Sequence, residues 1–204
     1  MSISTALKVL GIILILPGII ILVQTFFPVI WNELDYQINT SQGQFALKRE
    51  IKPLDKNFGI VIPKIRANAK IIPYVDPYNE KQYQVVLTKG IAHAQWTAYP
   101  GELGNVFLFS HSSVNFYEAQ RYNSVFYLLD KMEKGDEIDL YLNGNKFRYL
   151  VTDKKTVDAS EVKYLSGDPS KKTVTLMTCW PPGTTFKRLL VIGEMVEEDQ
   201  LTLP

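Results

Sequence analysis

Thr173-Val174-Thr175-Leu176-Met177-Thr178-Cys179, then Trp180-Pro181-Pro182-Gly183-Thr184-Thr185-Phe186-Lys187, then Arg188-Leu189-Leu190-Val191-Ile192-Gly193-Glu194 reads as strand, turn, strand. The outer stretches are rich in β-branched and aliphatic residues, which suit a pleated, half-buried surface. Pro181-Pro182-Gly183 between them enforces a rigid turn. The chain's one cysteine closes the first strand, and nine positions on an arginine opens the second. A thiol at one strand end and a guanidinium at the start of the next can face the same small space.

Further β texture lies upstream. Gly59 to Ile62, Ala69 to Ile72, Val106 to Ser110, Glu137 to Leu142 and Lys146 to Thr152 are strand candidates, joined by Val174 to Thr178 and Leu189 to Gly193. Asn143-Gly144 is a hairpin signal, because both residues accept positive φ. One helix is predicted, Ser124 to Met132, with Asn123 or Ser124 as its cap and Gly135 as its stop. Short strands with few helices argue for an all-β sandwich or barrel, and composition leaves both open.

His111 ends the run Val106-Phe-Leu-Phe-Ser-His. Cys179, His111 and Arg188, each at a strand edge, form the set that thiol acyl transfer needs: a nucleophile, a proton carrier and a cation for an oxyanion. Each residue alone has a plainer explanation. A lone buried cysteine behaves as a small hydrophobe, a histidine can sit half-buried at a strand end, and an arginine can pair with a surface carboxylate. Trp180, beside the thiol, fits a substrate-stacking wall and ordinary packing equally well.

The motifs carry a family resemblance. Thr175-Leu-Met-Thr-Cys179 with Arg188-Leu-Leu-Val resembles the TLxTC…R signature of sortases, the membrane-anchored cysteine transpeptidases of bacterial surfaces. Tyr99-Pro-Gly-Glu-Leu-Gly-Asn-Val-Phe-Leu-Phe-Ser-His111 is similar to the family's PGExGNxxxxGH run, with Ser110 where glycine is usual. Phe126 to Asp136 and Ile60-Val-Ile-Pro-Lys-Ile65 resemble two further segments, in the family's order. The similarity runs from about residue 46 to residue 204. It implies a closed sortase-like β-barrel with one or two short helices. It also implies His111, Cys179 and Arg188 as the catalytic set, with no cofactor. Thr178 and Trp180 are expected to contact substrate, and His93, in Gly90-Ile-Ala-His, is expected to line the pocket or support it. Asp76-Pro77-Tyr78 resembles the lid tripeptide of pilus-polymerising sortases but follows the first strand instead of preceding it, so it reads as a loop turn. The subclass stays open.

The 204 residues suit one domain with an accessory segment. A net charge of +1 without a Lys/Arg-rich block gives no electrostatic argument for a nucleic-acid partner. One cysteine and two histidines cannot by themselves complete a zinc site, so no metal is expected. Val9 to Trp31 carries no charge. At about 1.5 Å per residue it can cross a hydrocarbon core of ~30 Å, with Phe26, Phe27 and Trp31 at the far interface. It exceeds the ~7–15 apolar residues of a cleaved signal and lacks an Ala-x-Ala site, so it reads as an uncleaved anchor. Lys8 on one side, with Glu33 and Asp35 on the other, favours an internal N-terminus. The predicted organisation is a cytoplasmic N-terminus (1–8), a transmembrane anchor (9–31), a stalk (32–45) and an extracytoplasmic catalytic domain (46–204).

The implied reaction cleaves an LPxTG-like sorting signal near the C-terminus of a substrate protein and transfers the acyl group to an amine on a cell-wall peptide or pilin lysine. The alternatives are a membrane-anchored endopeptidase that hydrolyses the thioester and a non-enzymatic tethered β-domain. An L,D-transpeptidase would carry a Ser-His-Gly-Cys cluster, which is absent. A papain-like enzyme would place its histidine after its cysteine, the reverse of the order here.

Overall fold

The computed structural model describes residues 15–20, 51–112, 125–161 and 163–196. The chain divides into two units, Met1–Lys48 and Arg49–Pro204. In the first, residues 15–20 are helical and solvent-exposed. The rest of the predicted anchor, and the stalk, lie outside the described residues. Among the described residues no helix is long and apolar enough to cross a membrane.

The second unit is an eight-stranded closed barrel: β1 (Phe58–Ile62), β2 (Ala67–Val75), β3 (Ile91–Ala94), β4 (Gly104–Phe109), β5 (Glu137–Leu142), β6 (Asn145–Asp158), β7 (Lys172–Trp180) and β8 (Lys187–Met195). Their spatial order is β1-β2-β3-β4-β7-β8-β6-β5, and β1 pairs with both β2 and β5. Closure leaves no row of unpaired backbone groups. The β2–β3 and β4–β7 pairs are parallel, so each requires a crossover. Asn143-Gly144 turns β5 into β6 with φ of 50° and 84°, the conformation that tight hairpins need.

Successive strand residues point to opposite faces, and the barrel has two cores accordingly. Inside it are Ile60, Ile62, Ile91, Leu108, Leu176, Val191 and Tyr149, all sealed from solvent. Outside, over β3, β4 and β7, a second cluster gathers Ala92, Ala94, Phe107 and Phe109 with Met177 against them. Helix α1 (Glu80–Leu87) covers that cluster with Tyr83, Val86 and Leu87. Burying Leu87 alone contributes roughly 1.5–3 kcal/mol.

Two expectations differ from the structure. The region predicted as a helix over 124–132 forms turns from Val125 and a 3-10 turn at Leu129–Lys131, and its proposed caps Asn123 and Ser124 lie outside the described residues. Phe126, Leu129 and Met132 are all fully buried, a spacing of three that a 3-10 turn satisfies on one side. Helix α1 was not predicted. Asn79 caps it, its Oδ1 accepting from the Gln82 N–H at 3.2 Å. The tripeptide Asp76-Pro77-Tyr78 is the turn that leads in, with Asp76 Oδ1 accepting from the Tyr78 N–H at 2.9 Å, so it does serve as a loop turn.

Candidate active site

The β7–β8 pair sets the centre of the site. Their antiparallel register opposes Leu176 to Val191, Met177 to Leu190, Thr178 to Leu189 and Cys179 to Arg188. Leu176, Leu189 and Val191 point inward. By alternation, Cys179 and Arg188 therefore share the outer face, directly across from each other, with Cβ atoms about 5 Å apart in such a pair. Cys179 is half-exposed and forms no disulfide. Arg188 Nη1 donates to the carbonyls of Thr185 and Lys187, both at 3.0 Å, which ties one corner of the guanidinium to its own loop. That loop is a compact turn: the Thr184 N–H and hydroxyl both donate to Pro181 O, at 3.0 and 2.8 Å.

On the other flank, β4 runs parallel to β7, with Leu108 beside Leu176 and Phe109 beside Met177. The pairing continues past the end of β4, because the Ser110 N–H donates to Met177 O at 3.2 Å and the Thr178 hydroxyl donates to Ser110 O at 3.0 Å. One further step in the same register sets His111 abreast of Cys179. Cys179 and Arg188 thus face each other on neighbouring strands ~4.8 Å apart, and the chain leaving β4 brings His111 to the same end of the barrel.

Asn105 fixes this register from the far end of β4. It is 2% exposed, and its amide is fully used. Nδ2 donates to the carbonyls of Tyr164 and Leu165 at 3.0 and 3.1 Å, and Oδ1 accepts from the hydroxyls of Thr173 and Thr175 at 3.1 and 3.0 Å. Gly167, at φ +60°, makes room for it: a Cβ there would lie 2.6 Å from Asn105 Cβ. A slip of one residue between β4 and β7 would break these bonds and turn His111 to the other face. Asn105 lies within the Tyr99–His111 motif, where no local pattern marks it for this role, because its partners are about 60 to 70 residues away in sequence.

The remaining expected site residues are placed differently from the three. Thr178 is 2% exposed and faces inward, its hydroxyl engaged with Ser110 O. Trp180 is half-buried and packs against the inner core. His93 is inside the barrel at 1% exposure, opposite Leu108 in the β3–β4 pair. It stands edge-on to Phe58 and tilted against Tyr99, with centroids 5.5 and 4.7 Å away. Its Nε2 meets Ala98 O and the Thr97 hydroxyl at 3.0 Å each, and its Nδ1 has no partner. Burial holds its pKa below the usual imidazole value, against a smaller upward pull from the Ala98 carbonyl.

Known proteins resemble this chain in sequence and in fold. A protein-family model described as the Sortase domain matches residues 60–196. Sortase D of Bacillus subtilis (strain 168) is 29% identical over 161 residues, covering 76% of this chain and 73% of that protein. Sortase C-1 of Actinomyces oris superposes with a TM-score of 0.60 at 30% identity, covering 71% of this chain and 74% of that one. A Clostridium perfringens Sortase D5 transpeptidase superposes at 0.57 and 26% identity, covering 81% and 89%. With the family's domain matched across most of its length, and a closed barrel shared with these structures, the chain belongs to the sortase family.

Proposed function

We propose that this sortase is a cysteine transpeptidase in which Cys179 is the nucleophile, His111 the proton carrier and Arg188 the oxyanion or carbonyl ligand. The observation that supports this most is the β7–β8 register that sets Arg188 opposite Cys179, with the β4–β7 pairing, continued past Phe109, leading His111 toward the same thiol. The Cys179 thiolate attacks the scissile carbonyl of an LPxTG-like peptide, and the developing oxyanion faces the guanidinium, which stays charged. The C–N bond breaks, and His111 delivers a proton to the leaving amine. A thioester to Cys179 remains. An incoming primary amine, from a cell-wall peptide or a pilin lysine, attacks it and gives its proton to His111. The C–S bond breaks and the thiolate returns.

The same reading places the enzyme at the membrane by the apolar stretch 9–31, with the barrel outside, where such amines are found. Protease added to intact cells should then remove the barrel and spare an N-terminal fragment. The deciding test gives the purified chain an LPxTG-like peptide with and without triglycine or a lysine amine. A thioacyl adduct on Cys179 and a shift from free acid to amide as amine rises are expected. Free acid alone at saturating amine, across several amines, would make the enzyme a hydrolase.

A further inference from the structure

Helix α1 brings to the outer face one side chain that the triad chemistry leaves unused. Tyr83 is half-buried, and its ring stands edge-on to Phe109, with centroids 5.8 Å apart and planes at 87°. Phe109 pairs with Met177, two residues before the nucleophile on the same face. The Tyr83 ring therefore caps the outer apolar cluster at its border with the Cys179–Arg188 pair. The electrostatics agree with this placement. After burial, the groups acting on the Tyr83 hydroxyl are Glu80 on its own helix, Arg188 and Cys179. Burial first, and then Glu80, raise the phenol above its ordinary pKa against the opposing pull of Arg188.

We propose that Tyr83 is a substrate-contacting, specificity-determining residue of this sortase: its ring walls the peptide groove on the β4 side of Cys179, and its hydroxyl donates to the bound peptide. The inference rests on the transpeptidase reading above. An extended peptide that delivers its carbonyl to the Cys179 sulfur must cross the outer face of β7. The outer faces of β3 and β4 are already covered by α1. Tyr83 is the α1 side chain that stands against Phe109 at that border. A tyrosine suits the position, because its ring covers apolar side chains while its hydroxyl replaces a hydrogen bond that a peptide carbonyl loses on leaving water.

The test uses the full chain in detergent and a quenched-fluorophore LPxTG-like peptide set. Tyr83→Phe keeps the ring on Phe109 and removes the hydroxyl alone. It should lower kcat/KM by about three- to tenfold, carried by KM. Tyr83→Ala should lower it further and change the ranking of peptides that differ at one residue. In both variants the iodoacetamide alkylation rate of Cys179 should match the wild type, as should the Tm of Tyr83→Phe. Gln84→Ala, at the exposed neighbouring position, should change none of these. Wild-type kcat/KM in both Tyr83 variants for every peptide would overturn the inference alone. So would a loss in Tyr83→Phe matched by slower Cys179 alkylation, since the hydroxyl would then act on the thiol and not on the peptide. If the wild type acylates with no peptide while Cys179 alkylates normally, the transpeptidase reading falls and the inference with it.

Discussion

The two histidines lie on opposite faces of one sheet, and the comparison separates structure from chemistry. His93 points into the barrel, sealed at 1% exposure among Phe58, Tyr99 and the Thr97 hydroxyl. His111 follows the end of β4, and the register brings it abreast of Cys179 on the outer face. A shift of one residue along β3 would turn His93 to the outer face, and one along β4 would turn its continuation to His111 inward. The inner face rewards closed packing and keeps its imidazole neutral. The outer face at this end keeps a thiol half-exposed beside a guanidinium. Residue type alone therefore says little about a histidine's role in this barrel; strand parity says much more.

The contrast is broken most directly on the outer face. Cys179→Ala should abolish the thioacyl adduct by mass spectrometry. His111→Ala and Arg188→Lys should each lower kcat/KM by about 10²–10³-fold, since ammonium does not reproduce a planar guanidinium fork. His93→Ala should retain most activity; a dead His93 variant beside a live His111 variant would reverse the two assignments. Next in size is the register itself. Asn105→Ala removes the amide that joins the half-buried Tyr164 and Leu165 carbonyls to the Thr173 hydroxyl and the buried Thr175 hydroxyl. It should cost about 3 kcal/mol in denaturant unfolding and lower activity even where the protein remains folded, because the β4 end loses its anchor on β7.

On the inner face the expected effect is smaller and depends on pH. Burial holds the folded-state pKa of His93 below its unfolded value of about 6.5. Below that pH the unfolded chain binds a proton that the folded chain refuses. His93's contribution is therefore fully present above about pH 6.5. It is lost as pH falls toward the depressed folded value, by at most about 1.4 kcal/mol per pH unit. Unfolding measured from pH 7 to pH 5 should show this slope in the wild type and a flatter one in His93→Gln; equal slopes would remove His93 as the source. The smallest effect belongs to the β5–β6 hairpin, remote from both faces of the site in sequence. Gly144→Ala, at φ +84°, should cost about 1 kcal/mol and leave kcat/KM unchanged.

Much of this was legible in local patterns. Seven of the eight strands carry β-branched or alternating runs, and Asn143-Gly144 announced its turn. β3, Ile91–Ala94, was missed because it is four residues long and buried on both faces, so it has no alternation to read. Helix α1 was missed although its signals were present. Asn79 lies three residues before Gln82, in the spacing of a capping box, and Tyr83, Val86 and Leu87 form its apolar stripe. The helix matters, because it carries Tyr83, whose ring stands against Phe109 beside the candidate site. In 124–132 the cap and stop signals predict a helix, whereas Phe126, Leu129 and Met132 recur every third residue, which suits the 3-10 turn that forms.

The sequence by itself determined the reactive residue types, their order along the chain and the strands that carry them, because side-chain chemistry and strand propensity are local properties. Barrel closure, the parallel β4–β7 pairing and the facing of Cys179 with Arg188 were decided only by the tertiary structure. Register between strands far apart in sequence is set by long-range contacts such as the Asn105 bonds to β7 and to the loop before it. The period-two alternation of a strand then converts that register into which side chains share a face.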